Sequence, residues 1–472
     1  MPSLPRPSTP ETLTLAPRTA TVAARCDVLV VGGGPAGIGA ALGAAWSGAD
    51  VVLAERYGFL GGNATAALVM PLMSFHTQSK TPAQPLDTLS FLPTDHGTGD
   101  PVVGGALTAF LERLFALRGA IRPSEKTGFV VPFDPEMFKL AAQEVVDEAG
   151  VKLLFHAFAS GVTEGTRPRG VVFESKSGPL VVQADIVVDC TGDGDIAAAA
   201  GARYEVGRPE DGLVQPMTLM FRMVGFDADA FTDYVAGHPD QWRGVHGLWD
   251  LIAQGTATGE LTLPREDILF FATPHAGEIS LNCTRVTGAL GTSVWDLTRA
   301  EMASHAQMAQ IARFLRDRVP GFQDARVVQS GVQVGVRESR RIVGDYTLTA
   351  EDVLEARKFD DGIARSTYPV DIHNPKGKGT VLRRLPPGEW YDVPLRALLP
   401  QGLDDLLVAG RCLSGTHEAH SSYRVTPTAM ATGHAAGVAA ALAARRKCGL
   451  RDIGHRTLQA ELWRQGGSIV PP

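Results

Sequence analysis

The sequence predicts an α/β protein in which a parallel-sheet domain is interrupted by an inserted, mainly antiparallel α+β domain. A strand, a glycine-rich turn, a helix and a second strand follow one another over residues 28–55. Residues 211–398 then change to short apolar runs that are typical of antiparallel sheet. A strand of the parallel type returns at 403–409, and a helix follows from about 427 to 445. The first domain is therefore predicted to be discontinuous.

The composition limits the classes of protein that the chain can represent. Its 472 residues allow two or three domains, and 44% hydrophobic content with 52 glycines fits a large α/β protein with many tight turns. A net charge of −7 argues against nucleic acid as the main partner. The most apolar stretch, residues 429–443, is too short to span a membrane and is predicted to be a buried helix.

The N-terminal segment and the cysteines bear on the cellular compartment. Residues 1–24 are rich in Pro and Thr and are predicted to be a flexible leader rather than a secretory signal. The five cysteines are scattered and form no CxxC pair, which excludes a dithiol relay and indicates neither a disulfide framework nor a zinc or iron–sulfur site. We therefore expect a cytoplasmic protein without a metal.

The opening βαβ unit predicts a dinucleotide site. Gly32 permits a tight turn, Gly34 lets backbone N–H groups approach a pyrophosphate, and Gly37 lets the helix pack closely on the strand. The N-terminus of the helix favours phosphate charge. Glu55 follows the second strand and can accept hydrogen bonds from a ribose diol.

The remaining pattern divides the chain into segments. Helices are predicted near 104–118, from Pro135 to Ala149 with Asp134 as N-cap, and over 295–318. Strands are predicted within 151–162, 170–175, 180–188, 217–224, 268–271, 278–283 and 340–348. We assign residues 25–75, 133–210 and 400–472 to the dinucleotide domain, 76–132 to an irregular and helical crossing segment or lid, and 211–399 to a substrate domain.

Four stretches together resemble one family, the FAD-dependent oxidoreductases of glutathione-reductase-like topology. They are the opening fingerprint with its continuation Glu55-Arg56-x-Gly58-x-x-Gly61-Gly62, the Thr-Gly motif in 187–195, the arginine-rich segment 335–346, and residues 407–427. The resemblance covers nearly the whole chain beyond the leader. It implies a Rossmann-like FAD domain, and the double glycine favours FAD over NAD.

The resemblance also implies which residues contact the cofactor. Glu55 would bind the adenosine ribose, the 61–63 turn would lie along the pyrophosphate and flavin, and Thr426 would cap a helix whose N-terminus points at the flavin. Asp193 and Asp195 can instead simply cap the helix that follows them. The candidate cofactor residues are Gly32, Gly34, Pro35, Ala36, Gly37, Glu55, Arg56, Gly61, Gly62, Asn63, Phe158, Thr191, Gly192, Asp193, Gly410, Arg411, Thr426 and Pro427.

Candidate catalytic residues crowd two segments. His417, His420, Tyr423 and Arg424 occupy a predicted loop before the last helix, and His373 lies in the inserted domain. Histidine and tyrosine can move protons, whereas Arg424, Arg337 and Arg341 can hold a carboxylate or another oxyanion. Each has a structural alternative: a buried or surface histidine, a polar turn around His373, or an inter-domain cluster of salt bridges.

These features predict an enzyme that transfers a hydride from a small polar organic substrate to flavin N5. No second GxGxxG unit occurs in residues 200–400, which disfavours a dedicated NAD(P)H domain. Two alternatives stay open: a flavin reductase or monooxygenase fed by NAD(P)H, and an electron-transfer subunit of a larger redox complex. The expected partner is a small molecule, and the chain can form a homo-oligomer.

Overall fold

A computed structural model describes residues 11–78, 91–93, 97, 99–163 and 169–469 of the chain. Its strands are β1 (Thr21–Val31), β2 (Val51–Ala54), β3 (Lys152–Leu154), β4 (Phe158–Val162), β5 (Arg169–Ser175), β6 (Gly178–Asp189), β7 (Tyr204–Val206), β8 (Phe221–Val224), β9 (Trp242–Arg243), β10 (His246–Gly247), β11 (Ile268–Ala272), β12 (Glu278–Leu281), β13 (Arg326–Ser330), β14 (Arg340–Ile342), β15 (Gly362–Ser366), β16 (Val370–His373), β17 (Thr380–Arg383), β18 (Tyr391–Pro394) and β19 (Leu406–Val408).

The helices alternate with these strands. They are α1 (Pro35–Trp46), α2 (Asn63–Ala66), α3 (Ala106–Ala116), α4 (Pro135–Glu148), α5 (Asp195–Ala199), α6 (Ala228–Gly237), α7 (Trp249–Thr258), α8 (Val294–Arg318), α9 (Ala350–Leu354), α10 (His417–Tyr423), α11 (Thr426–Arg446) and α12 (His455–Arg464). Short 3₁₀ helices occur at Glu125–Thr127, Leu395–Leu398, Gly410–Cys412 and Leu450–Asp452. None of the helices in the described part of the chain is both long and apolar enough to cross a bilayer.

A parallel sheet in the order β3-β2-β1-β6-β19 forms the centre of the molecule. Strand β6 is long enough to pair with two different strands along one of its edges. Its first half pairs antiparallel with β5, which continues to β4, and its last three residues pair with β19. The carboxyl ends of β1 and β6 therefore lie side by side, where a ligand site is expected in an α/β sheet.

Helices α1 and α11 pack against each other through glycines. A Cβ atom at Gly433 would lie 1.9 Å from the carbonyl oxygen of Ala36, and one at Gly437 would lie 2.0 Å from that of Ala40. Only glycine permits this separation. Helix α11 is thereby held close to the glycine-rich turn that opens α1.

A second sheet is antiparallel, in the order β13-β8-β12-β11-β10-β9. It covers a separate hydrophobic core that includes Phe231, Phe270 and Phe322 and receives one face of α8. The mixed α/β architecture with an inserted antiparallel sheet is therefore confirmed. The exact domain boundaries stay a prediction.

Several predicted elements differ in extent. Strand β1 begins at Thr21, inside the predicted leader, because its first residues pair with β6. The strand predicted over 151–162 is interrupted at His156, whose φ of 56° is incompatible with extended backbone. The prediction at 340–348 yields only β14. Residues 1–10 and most of 79–98 lie outside the described residues.

Candidate functional site

The glycine-rich turn is shaped by close backbone approaches. Gly32 has a φ of 99°, and a Cβ there would lie 2.5 Å from the carbonyl oxygen of Cys190 on the neighbouring strand. A Cβ at Gly37 would lie 1.8 Å from the Gly32 oxygen. Gly34 is the N-cap of α1 and has no side chain to satisfy the first N–H groups of the helix. The turn therefore presents free backbone donors to whatever lies in front of it.

A first cleft of about 1020 Å³, including its mouth, opens at this turn. Segments far apart in sequence line it: the β1–α1 turn, the ends of β2 and β6, strand β4, and the start of α11. The candidate cofactor residues along it are Gly32, Gly34, Pro35, Ala36, Glu55, Arg56, Gly62, Asn63, Phe158, Thr191, Gly192, Gly410, Arg411 and Thr426.

Four other candidate cofactor residues do not line the first cleft. Gly37 and Gly61 lie behind it: Gly37 packs on Gly32, and the Gly61 N–H donates to the Gly33 carbonyl at 2.8 Å. Asp193 is ion-paired with Arg411 at 2.9 Å. Pro427 lines a second cleft. These residues shape the wall of the first cleft rather than face it.

Glu55 is almost fully buried at the edge of the first cleft. Its carboxylate accepts hydrogen bonds from the N–H groups of Gly33 at 2.6 Å and Tyr57 at 2.9 Å. Burial raises the pKa of Glu55, and these two backbone donors oppose that effect. Each carboxylate oxygen still has capacity to accept a further hydrogen bond.

Some residues of the first cleft carried no signal in the sequence. Gln333 accepts hydrogen bonds from Arg56 Nη2 at 2.5 Å and from the Tyr57 hydroxyl. It lies on the segment after β13, more than 270 residues from its two partners. Ala429 also lines the cleft. Only the tertiary structure brings them there.

The first N–H groups of α5 are bonded by Asp189, and not by Asp193 or Asp195, for which capping was the alternative to cofactor contact. Asp189, at the end of β6, accepts from the N–H groups of Ile196 and Ala197 at 2.9 Å each. Burial raises the pKa of Asp189 to about 6. The side chains of Asp193 and Asp195 form ion pairs with Arg411 and Arg340.

The start of α11 also differs from the prediction. Val425 is the N-cap, and Thr426 is the first helical residue without a capping hydrogen bond from its side chain. The predicted capping role of Thr426 is therefore wrong, because its backbone is already helical. Pro427 lies in the first turn, as predicted.

A second cleft of about 1250 Å³, including its mouth, adjoins the first. Four residues line both clefts: Asn63, Arg411, Arg424 and Thr426. The second cleft reaches from this junction to the antiparallel sheet of the inserted segment, which contributes Met220, Leu269 and Phe271. The two clefts therefore meet beside the N-terminus of α11.

Polar groups converge at one end of the second cleft. The Tyr368 hydroxyl donates to Asp371 Oδ2 at 2.8 Å, and His373 Nε2 lies 3.6 Å from the same oxygen. Arg424 Nη2 is 3.9 Å from it. Burial and the neighbouring guanidinium of Arg337 hold the pKa of His373 well below its usual range, so the ring is neutral.

Arginines surround this group. Burial, together with the positive charges of Arg424 and Arg285, lowers the pKa of Arg337 to about 9. Arg337 Nη1 donates to the Pro216 carbonyl at 2.7 Å and to Thr218 Oγ1 at 2.6 Å. Arg285 Nη2 lies 3.4 Å from His373 Nδ1, and an arginine can only donate. The proton of the neutral His373 ring therefore resides on Nε2.

Four candidate catalytic residues line neither cleft. His417, His420 and Tyr423 belong to helix α10, capped by Thr416, and not to a loop as predicted. His417 Nδ1 lies 2.9 Å from Glu338, which also pairs with Arg341, and Tyr423 donates to the Leu413 carbonyl. All are buried, and this placement argues against the predicted contact of His417, His420, Tyr423 and Arg341 with substrate.

A metal site was not expected, and the described residues contain no cluster of metal-ligating side chains. The first cleft does fit a dinucleotide. A Cβ at Gly62 would lie 2.8 Å from the Cα of Gly34, so a glycine at position 62 lets these two turns approach each other at the cleft. The uncapped N-terminus of α1 offers donors for phosphate, and the Glu55 carboxylate offers acceptors for hydroxyl groups.

The chain is similar to several known proteins. A thiamine thiazole synthase from Aeropyrum pernix is 30% identical over 212 residues, which cover 40% of this chain and 77% of that protein. A geranylgeranyl bacteriochlorophyll reductase-like protein from Thermoplasma acidophilum is similar in structure, with 14% identity, 93% and 83% coverage of the two chains and a TM-score of 0.42. The anhydrotetracycline hydroxylase OxyS from Streptomyces rimosus has 12% identity, 88% and 62% coverage and a TM-score of 0.40.

The family model described as FAD dependent oxidoreductase matches residues 27–462. This range includes both sheets and both clefts, so the match extends well beyond the opening βαβ unit. The chain therefore belongs to the FAD-dependent oxidoreductase family, and it is an enzyme whose cofactor is FAD.

Proposed function

We propose that the enzyme oxidises an organic substrate by transferring a hydride from a substrate C–H bond to FAD. The observation that carries this proposal is the junction of the two clefts at Asn63, Arg411, Arg424 and Thr426. A dinucleotide in the first cleft and a substrate in the second would meet at this junction. The second cleft also contains groups that can accept a proton.

Residues of the first cleft would hold FAD. The N-terminus of α1 would face the pyrophosphate, and Glu55 would accept hydrogen bonds from a ribose. Helix α11 would direct its N-terminus to the flavin, where a positive dipole end favours negative charge. Bound FAD supplies the oxidant of the reaction, a two-electron acceptor for the hydride.

Residues of the second cleft would accept the proton that the substrate loses during the oxidation. When the substrate loses a hydride from carbon, the adjacent O–H or N–H loses its proton, and a C=O or C=N bond forms. Asp371 Oδ2 is the acceptor that the contacts favour, because His373 carries its own proton on Nε2. Tyr368 and His373 would position this carboxylate, and Arg337 and Arg424 would orient the substrate.

An anaerobic reductive titration tests this proposal. The purified holoenzyme is mixed with a panel of hydroxy acids, amines and alcohols, and in parallel with NADH and NADPH, while the visible flavin absorbance is followed. We expect an organic compound alone to bleach the flavin. Bleaching by a nicotinamide only would overturn the proposal and favour the reductase or monooxygenase.

A second outcome concerns the electron-transfer alternative. If no small molecule reduces the flavin but a protein reductant does, the chain is a subunit that passes electrons between proteins. A cytoplasmic location and a homo-oligomeric state stay predictions, which fractionation and light scattering would test.

A further inference from the structure

The second cleft holds more positive than negative charge. Among the residues that the structure describes, its lining includes Arg337, Arg411 and Arg424 but only one carboxylate, Asp371. Arg411 is neutralised by Asp193, outside the cleft. Asp371 lies 3.9 Å from Arg424, which leaves Arg337 without a carboxylate partner among the described residues. A partly buried guanidinium without a paired carboxylate is costly, so this end of the cleft is suited to an anion.

The donors needed to bind an anion are present and uncommitted. Arg337 uses only Nη1 in hydrogen bonds to the described residues, which leaves Nη2 and Nε without protein acceptors. The buried Nε of Arg424 has no partner among them either. Guanidinium groups bind carboxylates through paired N–H donors. Arg285, behind His373, adds a third positive charge to this region.

The rest of the second cleft is apolar. Its walls are formed by Met70, Met73, Met220, Leu269, Phe271 and Val336. Its volume of about 1250 Å³, including its mouth, exceeds the 1020 Å³ of the first cleft on the same measure. A small polar molecule would leave most of this apolar surface without a partner. The methionines can adapt to a range of shapes.

We propose that the substrate is an amphiphilic carboxylate: an anionic head bound between Arg337 and Arg424, and an apolar body along the methionine-lined wall. This inference rests on the proposed function, because it takes the second cleft as the substrate site. It replaces the small polar substrate expected from the sequence.

Binding measurements with the oxidised holoenzyme test this substrate class without turnover. The probes are linear carboxylates from acetate to decanoate, with the primary amide and the primary amine of each length, titrated by calorimetry and by the change in the flavin spectrum. We expect carboxylates to bind at least about 10-fold more tightly than the amides and amines. Affinity should rise about 3- to 4-fold per methylene group along the series.

Substitutions of Arg337 test whether the carboxylates bind at the proposed site. Arg337→Gln should weaken carboxylate binding about 10- to 100-fold and leave amide binding unchanged. Arg337→Lys, which keeps the charge, should retain part of the affinity and guards against loss through misfolding. Arg365→Gln is the control, because Arg365 is a partly buried arginine that stacks on Trp390 outside both clefts.

Equal binding of amides and carboxylates would overturn the assignment of an anionic head. Affinities that do not increase with chain length would overturn the apolar body, and so would the absence of binding across the whole series. The proposed function fails separately: carboxylates would then bind as expected, while no organic compound reduces the flavin.

Discussion

At the scale of single residues, Asp371 is the group on which the proposed chemistry depends most. Its carboxylate faces the second cleft and is held by the Tyr368 hydroxyl at 2.8 Å. The flanking guanidinium of Arg424 and the neutral ring of His373 fix its surroundings. Asp371 is therefore placed to receive a proton while its neighbours keep it in position.

Replacing Asp371 by Asn should slow anaerobic flavin reduction by about 100-fold or more, since the amide cannot act as a base. Stopped-flow measurement of the reductive half-reaction checks this, with FAD content as the test of folding. Asp361→Asn is the matched control: Asp361 is ion-paired with Arg396 away from both clefts. A rate for the Asp371 variant equal to that of the control would contradict the assigned role.

For His420, in contrast to Asp371, we expect a replacement to affect stability and not catalysis. Neither ring nitrogen has a hydrogen-bond partner among the described residues, and burial holds the pKa of His420 well below its usual range. Its native form stays neutral while the unfolded chain takes up a proton near pH 6.5. Stability that is present above pH 6.5 is therefore lost as the pH falls toward the native pKa.

His420→Leu should leave the free energy of unfolding at pH 7 unchanged or raise it by about 1 kcal/mol, because a desolvated polar ring is removed. The variant should also lose less stability than the wild type between pH 7 and 5. Urea denaturation at several pH values measures both effects. A folded, FAD-loaded variant with flavin reduction slowed more than about 10-fold would restore the catalytic role predicted from the sequence.

At the scale of elements, the contact between α1 and α11 sets the geometry of the first cleft. Glycines at the crossing allow the two backbones to touch. Since α1 begins at the glycine-rich turn and α11 begins at the junction of the clefts, a shift between them would move both parts of the site.

Gly437→Ala should lower the free energy of unfolding by about 2 kcal/mol or more, because its Cβ would meet the Ala40 carbonyl oxygen at 2.0 Å. Gly237→Ala in α6 is the control, since a Cβ there meets nothing within 4 Å and alanine is the better helix former. Urea denaturation compares the two variants. Equal stabilities would mean that the helices separate at little cost.

The elements also show what the sequence can and cannot predict. Asp134 and Pro135 were recognised as a helix start because capping is local, and Asp134 does accept from the N–H groups of Glu136 and Met137. The acceptor for the first turn of α5 cannot be read from the residues next to it, because Asp189 reaches that turn from the end of a strand seven residues earlier. The fold class and the FAD fingerprint followed from periodicity and from a contiguous motif.

The candidate site was predicted less completely, because it is assembled over long sequence separations. His417 and His420 lie in a segment rich in polar residues, which suggests an exposed loop. In the structure both are buried residues of α10, and their burial depends on tertiary packing that the local sequence does not predict. Gln333 and Tyr57 meet across more than 270 residues. His373, Arg337 and Arg424 were found because their residue types are suited to oxyanion and proton chemistry wherever they lie.

At the scale of the whole molecule, the first cleft is lined by parts of the chain that are far apart in sequence. The β1–α1 turn, β4, the residue Gln333 and the start of α11 all contribute to it. A ligand that contacts all of them binds the folded state alone and therefore stabilises it.

Removal of FAD should lower the midpoint of thermal unfolding, and added FAD should restore it. At a free FAD concentration 100 times Kd, the stabilisation is about 2.7 kcal/mol. Glu55→Gln should need about 10-fold more FAD for the same effect, whereas Glu174→Gln, in an exposed pair with Arg18, should behave as the wild type. Differential scanning calorimetry measures this, and a midpoint independent of FAD would contradict it.

The glycine-mediated pairing of α1 with α11 has a consequence for biosynthesis. About 380 residues separate the end of α1 from the start of α11. A ribosome adds roughly 5 to 20 residues per second, so an interval of roughly 20 to 80 seconds passes before the second helix is made. During that time the alanine- and glycine-rich face of α1 has no native partner. We therefore expect this face of α1 to be available to chaperones, and to be prone to aggregation, until α11 has been synthesised and can pack against it.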